Sequence, residues 1–193
     1  MKTNIFFIIC IVFFFAGCDS KNLMKQDSTD DLANMEYLKI DAKRIIIPNL
    51  KIKVSLSNDA IQKLQENKEA IIATIVLYGK VKDEDIMPVE IKKNIDANRL
   101  KLGFFKKDEK TISQSIVFEF NNLIISKKLY SILTDKNIYI NVDVFSGRRV
   151  FKDNILNMEA FDTKLRKVVS EGSIIKLNGH LIPEPIEEKQ HSP

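Results

Sequence analysis

Apolar side chains recur at every second position through most of the chain, a period that fits strands wet on one face and rules out long amphipathic helices. Leu50, Ile52, Val54 and Leu56 alternate with Lys51, Lys53 and Ser55. Ile138, Ile140, Val142 and Val144 alternate in the same way with Tyr139, Asn141, Asp143 and Phe145. Ile112, Ile116, Phe118 and Phe120 share a face opposite Ser113, Ser115 and Glu119. Shorter alternations at Val89/Ile91 and Leu100/Leu102/Phe104 predict two more strands. The run from Ala70 to Tyr78 is nearly all apolar and reads as a central strand covered on both sides. A last strand is predicted at Ser173 to Leu177, with Asn178-Gly179 as a two-residue hairpin turn.

Two short helices interrupt this pattern. Asn58 to Asn67 places Ile61 and Leu64 on one side behind Ser57 or Asn58 as cap, and Ser126 to Thr134 does the same with Leu129 and Leu133 behind Ser126. Each is too short to stand alone and must lean on a sheet. The expected fold class is therefore all-β or β-rich α+β. An antiparallel β-sandwich, immunoglobulin-like or transthyretin-like, with two short helices is the arrangement expected over residues 36–182.

The N-terminus reads differently. Lys2 precedes twelve apolar residues, Ile5 to Ala16. A bilayer span takes roughly 20, so the run fits the core of an export signal. Phe15-Ala16-Gly17-Cys18 then resembles the lipobox of bacterial lipoproteins, with Phe15 where that family usually has Leu. The resemblance implies that diacylglycerol is placed on the Cys18 thiol and that cleavage follows residue 17. Acyl chains contribute about 0.8 kcal/mol per buried CH₂, so two or three of them anchor a protein permanently. The implied location is a periplasm-facing inner or outer membrane, reached by export. Asp19 is an inner-membrane retention mark in enteric-type bacteria, but sorting rules differ between phyla. Residues 18–35 are polar and read as a tether; about 17 flexible residues reach roughly 20–25 Å. Residues 183–193, rich in proline and charge, read as a disordered tail. A second resemblance, carried by Leu56-Ser57, Tyr78-Gly79, Asn141 to Arg149, Asp153-Asn154-Ile155-Leu156 and Leu181-Ile182, is to a group of small proteobacterial lipoproteins with no assigned activity.

Composition narrows the chemistry. The formal charge is +4, and loss of residues 1–17 removes Lys2 to leave 29 basic against 26 acidic groups, or +3. That imbalance is too small to argue for nucleic acid. Both cysteines, Cys10 and Cys18, fall in the signal or at the lipid site, so no disulfide and no thiol ligand is expected in the domain. His180 and His191 form no metal motif, and the acidic stretch Asp27 to Asp31 lacks the glycine and distal glutamate of a calcium loop. No nucleophile elbow or phosphate loop is present, so neither metal nor cofactor is expected. Glu119 and Asp143, on polar strand faces, read as salt-bridge residues sooner than as an acid–base pair.

Phe145, Arg148, Arg149 and Lys152 are the candidate partner contacts. A strand ends at Ser146-Gly147 and two arginines follow, which reads as a solvated turn or as an edge loop whose guanidinium forks meet an anion. The expected function is a lipid-anchored, non-catalytic binding or adaptor module for a protein or an envelope component. Its rivals are an immunity lipoprotein against a toxin delivered to the periplasm, and an envelope hydrolase with an unrecognised site.

Overall fold

The structure, a computed structural model, describes residues 37–183. The lipid site expected at Cys18, the signal expected over 1–17, the whole tether expected over 18–35 and all but the first residue of the tail expected over 183–193 lie outside those residues. Within them three sheets share one hydrophobic core and build a β-sandwich-like fold. A three-stranded sheet has the order β1 (Lys39–Ile40), β2 (Arg44–Ile47), β8 (Leu123–Ser126). A four-stranded sheet has the order β10 (Leu156–Met158), β12 (Ile174–Leu181), β3 (Leu50–Leu56), β7 (Ser115–Phe120). The five-stranded sheet has the order β11 (Phe161–Lys164), β9 (Tyr139–Ser146), β4 (Ile71–Lys80), β6 (Arg99–Glu109), β5 (Ile95–Asp96). Neighbours are antiparallel except β12 and β3, which run parallel.

The alternating residues behave as their pattern demands. Leu50, Ile52, Val54 and Leu56 of β3 are buried and the lysines between them are not. Ile140, Val142 and Val144 of β9 turn inward, as do Ile116, Phe118 and Phe120 of β7. Ile112 is buried too, but it precedes β7 in a loop. β4 is central to its sheet and buried along most of its length. Its inner residues Ile71, Ala73, Ile75 and Leu77 meet the core, while long side chains of β6 and β9 shelter its outer ones.

Both expected helices exist, α1 (Asn58–Glu66) and α3 (Lys127–Ile132). Ser126 caps α3 by accepting from the Leu129 N–H. Ser57 holds the N-cap position of α1 without a side-chain bond to its backbone. Two more one- to two-turn helices appear, α2 (Val89–Lys92) and α4 (Leu165–Ser170). The first corrects the strand read at Val89/Ile91. The Pro88 carbonyl accepts from the N–H groups of Ile91 and Lys92, so the chain coils there. A helical turn sends the two side chains apart, leaving Val89 exposed and Ile91 buried.

Two further readings are corrected. Asn178-Gly179 is no hairpin, because β12 runs straight through it to Leu181, pairing Gly179 with Leu56 on one side and Met158 on the other. The glycine is there for space: a Cβ at 179 would run into the Met158 sulfur. In β6, Leu100 and Leu102 face inward but Phe104 does not. The register against β4 slips between Leu77 and Tyr78, and this bulge turns Phe104 out and Phe105 towards the core.

Candidate binding cleft

The Phe145–Lys152 segment closes the upper end of the five-stranded sheet, and its geometry is governed by a buried acid. Glu69 follows α1 through a left-handed Lys68 (φ 52°), with the Glu69 N–H bonded to the Leu64 carbonyl, a helix-ending pattern that drives Glu69 inward. Its carboxylate accepts from the backbone N–H groups of Ala70 (2.9 Å), Arg149 (2.8 Å) and Val150 (2.8 Å). Gly147 approaches so closely that a Cβ there would stand 2.9 Å from the Glu69 carboxylate. The two arginines are also engaged by side chain. Arg149 pairs with Asp108 at 3.1 Å, and the Arg148 guanidinium lies 6.0 Å from the centre of the half-buried Phe145 ring. Lys152 is exposed beside Phe151, which is fully buried. The structure therefore brings Phe145, Arg148 and Arg149 together at one edge, but as a loop braced from within.

A different set of residues meets at the opposite end of the same outer face. Strand register lays them out in rows. Asp162 of β11, Asn141 of β9, Val76 of β4 and Phe104 of β6 form one row; Lys164, Tyr139, Tyr78 and Lys101 form the next; Lys80, Arg99 and Asp96 form a third. Tyr78 and Tyr139 stack with ring centres 5.3 Å apart. Arg99 lies 5.3 Å from the centre of Tyr78, and Lys80 lies 5.4 Å from that of Tyr139. Each ring is thus held between a cation and its partner ring, an arrangement favoured by the negative π faces.

The Tyr78 hydroxyl donates to the Asp162 carboxylate at 2.6 Å. Burial, reinforced by that hydrogen bond and by the Asp162 charge, pushes the phenol up to about 12. Arg99 reaches diagonally over the ring to within 3.9 Å of the same carboxylate, a loose pairing that leaves its other donors open. These groups border an open cleft of about 430 Å³. One wall carries Lys93, Arg99 and Lys101, the other Asp162 and Asn141, and Val76 and Tyr78 floor it. Among the described residues no carboxylate pairs with Lys93 or Lys101. The cleft can therefore take up an acidic group on one side and hydrogen-bond donors on the other.

The remaining sequence candidates lie apart. Glu119 and Asp143 belong to different sheets, and Glu119 bonds Lys51 at 2.6 Å, which holds its carboxyl below the usual range. His180, exposed on β12, has Asn157 at 3.4 Å. Among the described residues, no three His, Cys, Asp or Glu side chains cluster as metal ligands would. Sequence reasoning missed Tyr78, Arg99 and Asp162. The one local signal was a tyrosine closing an otherwise aliphatic run, and its meaning depended on register with strands distant in sequence. No protein-family model, curated protein or solved structure matches the chain.

Proposed function

We propose that this protein is a membrane-anchored lipoprotein that works as a non-catalytic binding module, and that the Tyr78–Arg99–Asp162 cleft is where it binds. The observation that carries the binding reading is the array itself. Two stacked tyrosines and their flanking cations hold Arg99 and Asp162 at the mouth of a cleft. Lys93 and Lys101, which meet no carboxylate among the described residues, stand beside them, Lys101 4.8 Å from the centre of the Phe104 ring. Prearranged polar groups around a small apolar floor are the usual makings of a ligand site. The chemistry fits a polar envelope component or protein segment that carries an acidic group together with hydrogen-bond donors. Anchoring rests on the lipobox-type sequence at Cys18, and it suits a binding module because confinement to a surface raises its effective concentration near membrane partners.

The braced loop at Arg148 and Arg149 is the weaker candidate, because its carbonyl and amide geometry is fixed by Glu69 and its Arg149 charge is answered by Asp108. The test is site-specific photo-crosslinking in intact cells, with the probe at Asn141 in the cleft or at Arg148 in the loop. A discrete adduct from position 141 that disappears on Arg99→Ala is expected. Adducts from position 148 alone, or a 141 adduct indifferent to Arg99, would move the site elsewhere.

A further inference from the structure

The outer face of the four-stranded sheet has a different character. Register sets Lys53 of β3 directly beside Lys176 of β12, Lys51 beside Ile174, and Val117 of β7 across from Lys53. Glu119 is the one acid on these four strands, and Lys51 takes it at 2.6 Å. Among the described residues no carboxylate pairs with Lys53 or Lys176. Like charges side by side on a sheet are mildly destabilising, so packing does not account for this pair. Beside them Val117 and Ile174 are 44% and 39% exposed. Glu159, just past β10, bonds the Asn178 side chain at the edge of this face, so three lysines stand against two acids. The result is an open depression of weak net positive charge with two branched aliphatics.

Its place relative to the start of the domain matters. Tyr37, the first described residue, lies within electrostatic reach of Tyr130 in α3 and of Arg166 in α4. Helix α4 leads through Gly172 into Ile174, and the Ser173 carbonyl accepts from the Lys51 N–H at 3.0 Å. The described chain therefore begins near α4, the helix that leads into Ile174.

We infer that this face docks on an anionic bilayer, with Lys53 and Lys176 against the headgroups and Val117 and Ile174 at the interface. The inference rests on the lipid-anchor reading of Cys18. On that reading about 17 residues separate lipid from domain, and a flexible chain of that length has a root-mean-square reach of roughly 20–25 Å. At that range contact is intramolecular, and weak attractions suffice to orient the domain. The two large sheets turn their apolar sides to one core, so docking by the four-stranded sheet leaves the Tyr78–Arg99–Asp162 cleft facing away from the membrane and open to a partner.

The experiment uses lipidated full-length protein purified from bacterial membranes and inserted into phosphatidylcholine vesicles with or without phosphatidylglycerol, with nitroxide on the headgroups. A fluorophore is attached at Ser55→Cys on the lysine face or at Asp143→Cys on the cleft face. In anionic vesicles the label at 55 is quenched strongly and that at 143 weakly. The difference vanishes in phosphatidylcholine alone and at raised salt. In the Lys53→Glu/Lys176→Glu variant the docked-to-undocked ratio falls roughly tenfold or more. The milder Lys53→Gln/Lys176→Gln variant guards against a folding defect and shifts the ratio in the same direction. Equal quenching at both positions, or a preference that survives charge reversal, overturns the docking. So does an acidic protein crosslinking at position 55 in cells while vesicle quenching is absent. An alkaline wash reads the anchor separately: chain retained after the wash without quenching at 55 refutes the docking alone, whereas chain released by it refutes the anchor.

Discussion

Replacing Glu69 by alanine removes the acceptor of three backbone N–H groups at once, and the cost follows from where those groups sit. Glu69 is 1% exposed, so its carboxylate has no bulk water as a substitute, and its bonds to the Arg149 and Val150 N–H groups are part-buried. A hydrogen bond to a charged group contributes about 1.5–3 kcal/mol, and a buried donor left unmade costs about 1–3 kcal/mol. The Ala70 bond is local, between adjacent residues, and is partly replaced by small backbone shifts. The Arg149 and Val150 bonds tie residues some eighty positions apart and have no substitute. Counting those two as lost gives an expected destabilisation of about 3–5 kcal/mol, a large part of the 5–15 kcal/mol typical of a domain. Glu69→Gln keeps one oxygen for Arg149 and Val150 but turns an NH₂ towards the Ala70 N–H, so about 1.5–3 kcal/mol is expected. Arg149→Ala serves as the control: the acid holds the backbone of Arg149 and not its guanidinium, and loss of the exposed pair with Asp108 costs about 0.5 kcal/mol or less. Equilibrium urea unfolding followed by circular dichroism measures all three, provided the m value is unchanged. A loss under about 1 kcal/mol for Glu69→Ala, or a loss for Arg149→Ala as large as that for Glu69→Ala, refutes the assignment of Glu69 as the brace of this loop.

Other outcomes follow from the same structure. Gly79→Ala drives a Cβ into the Leu133 side chain, which is buried and cannot retreat, so about 1–3 kcal/mol is lost in thermal or urea unfolding. Gly179→Ala meets the end of Met158, which is flexible and half-buried, and costs about 1 kcal/mol or less; the reverse order of the two glycines contradicts this packing. Tyr78 ionises late. Its folded pKa is raised from 10.0 to about 12, so its stabilising contribution is complete below pH 10 and is lost as pH climbs towards 12. In a tyrosinate absorbance titration, Tyr78→Phe therefore removes amplitude from the high-pH end of the curve, and removal from the early part refutes the contact with Asp162. Lys51→Ala leaves the thermal midpoint unchanged, because both partners of the Lys51–Glu119 pair are half exposed; a clear drop in the midpoint contradicts that reading.

The chain's own pattern determined which faces are apolar, and hence the strands. Leu50 to Leu56, Ile116 to Phe120 and Ile140 to Val144 were legible because alternation is a local property that any strand in any sheet must satisfy. The Ser126 cap was legible for the same reason. Neighbours were not. Every aliphatic strand face is chemically interchangeable with the next, so nothing local chooses the parallel pairing of β12 with β3 over a hairpin at Asn178-Gly179. The cleft shared that fate. Tyr78, Tyr139, Arg99 and Asp162 come from four strands, and a one-residue slip in any of three pairings would send one of them to the other side. The bulge beside Tyr78 makes the point in a single residue: periodicity assigns Phe104 to the core with Leu100 and Leu102, and the packing of Phe105 against that core turns Phe104 out. Periodicity records which side of a strand prefers to leave water, whereas the identity of the group opposite depends on the packing of the whole core.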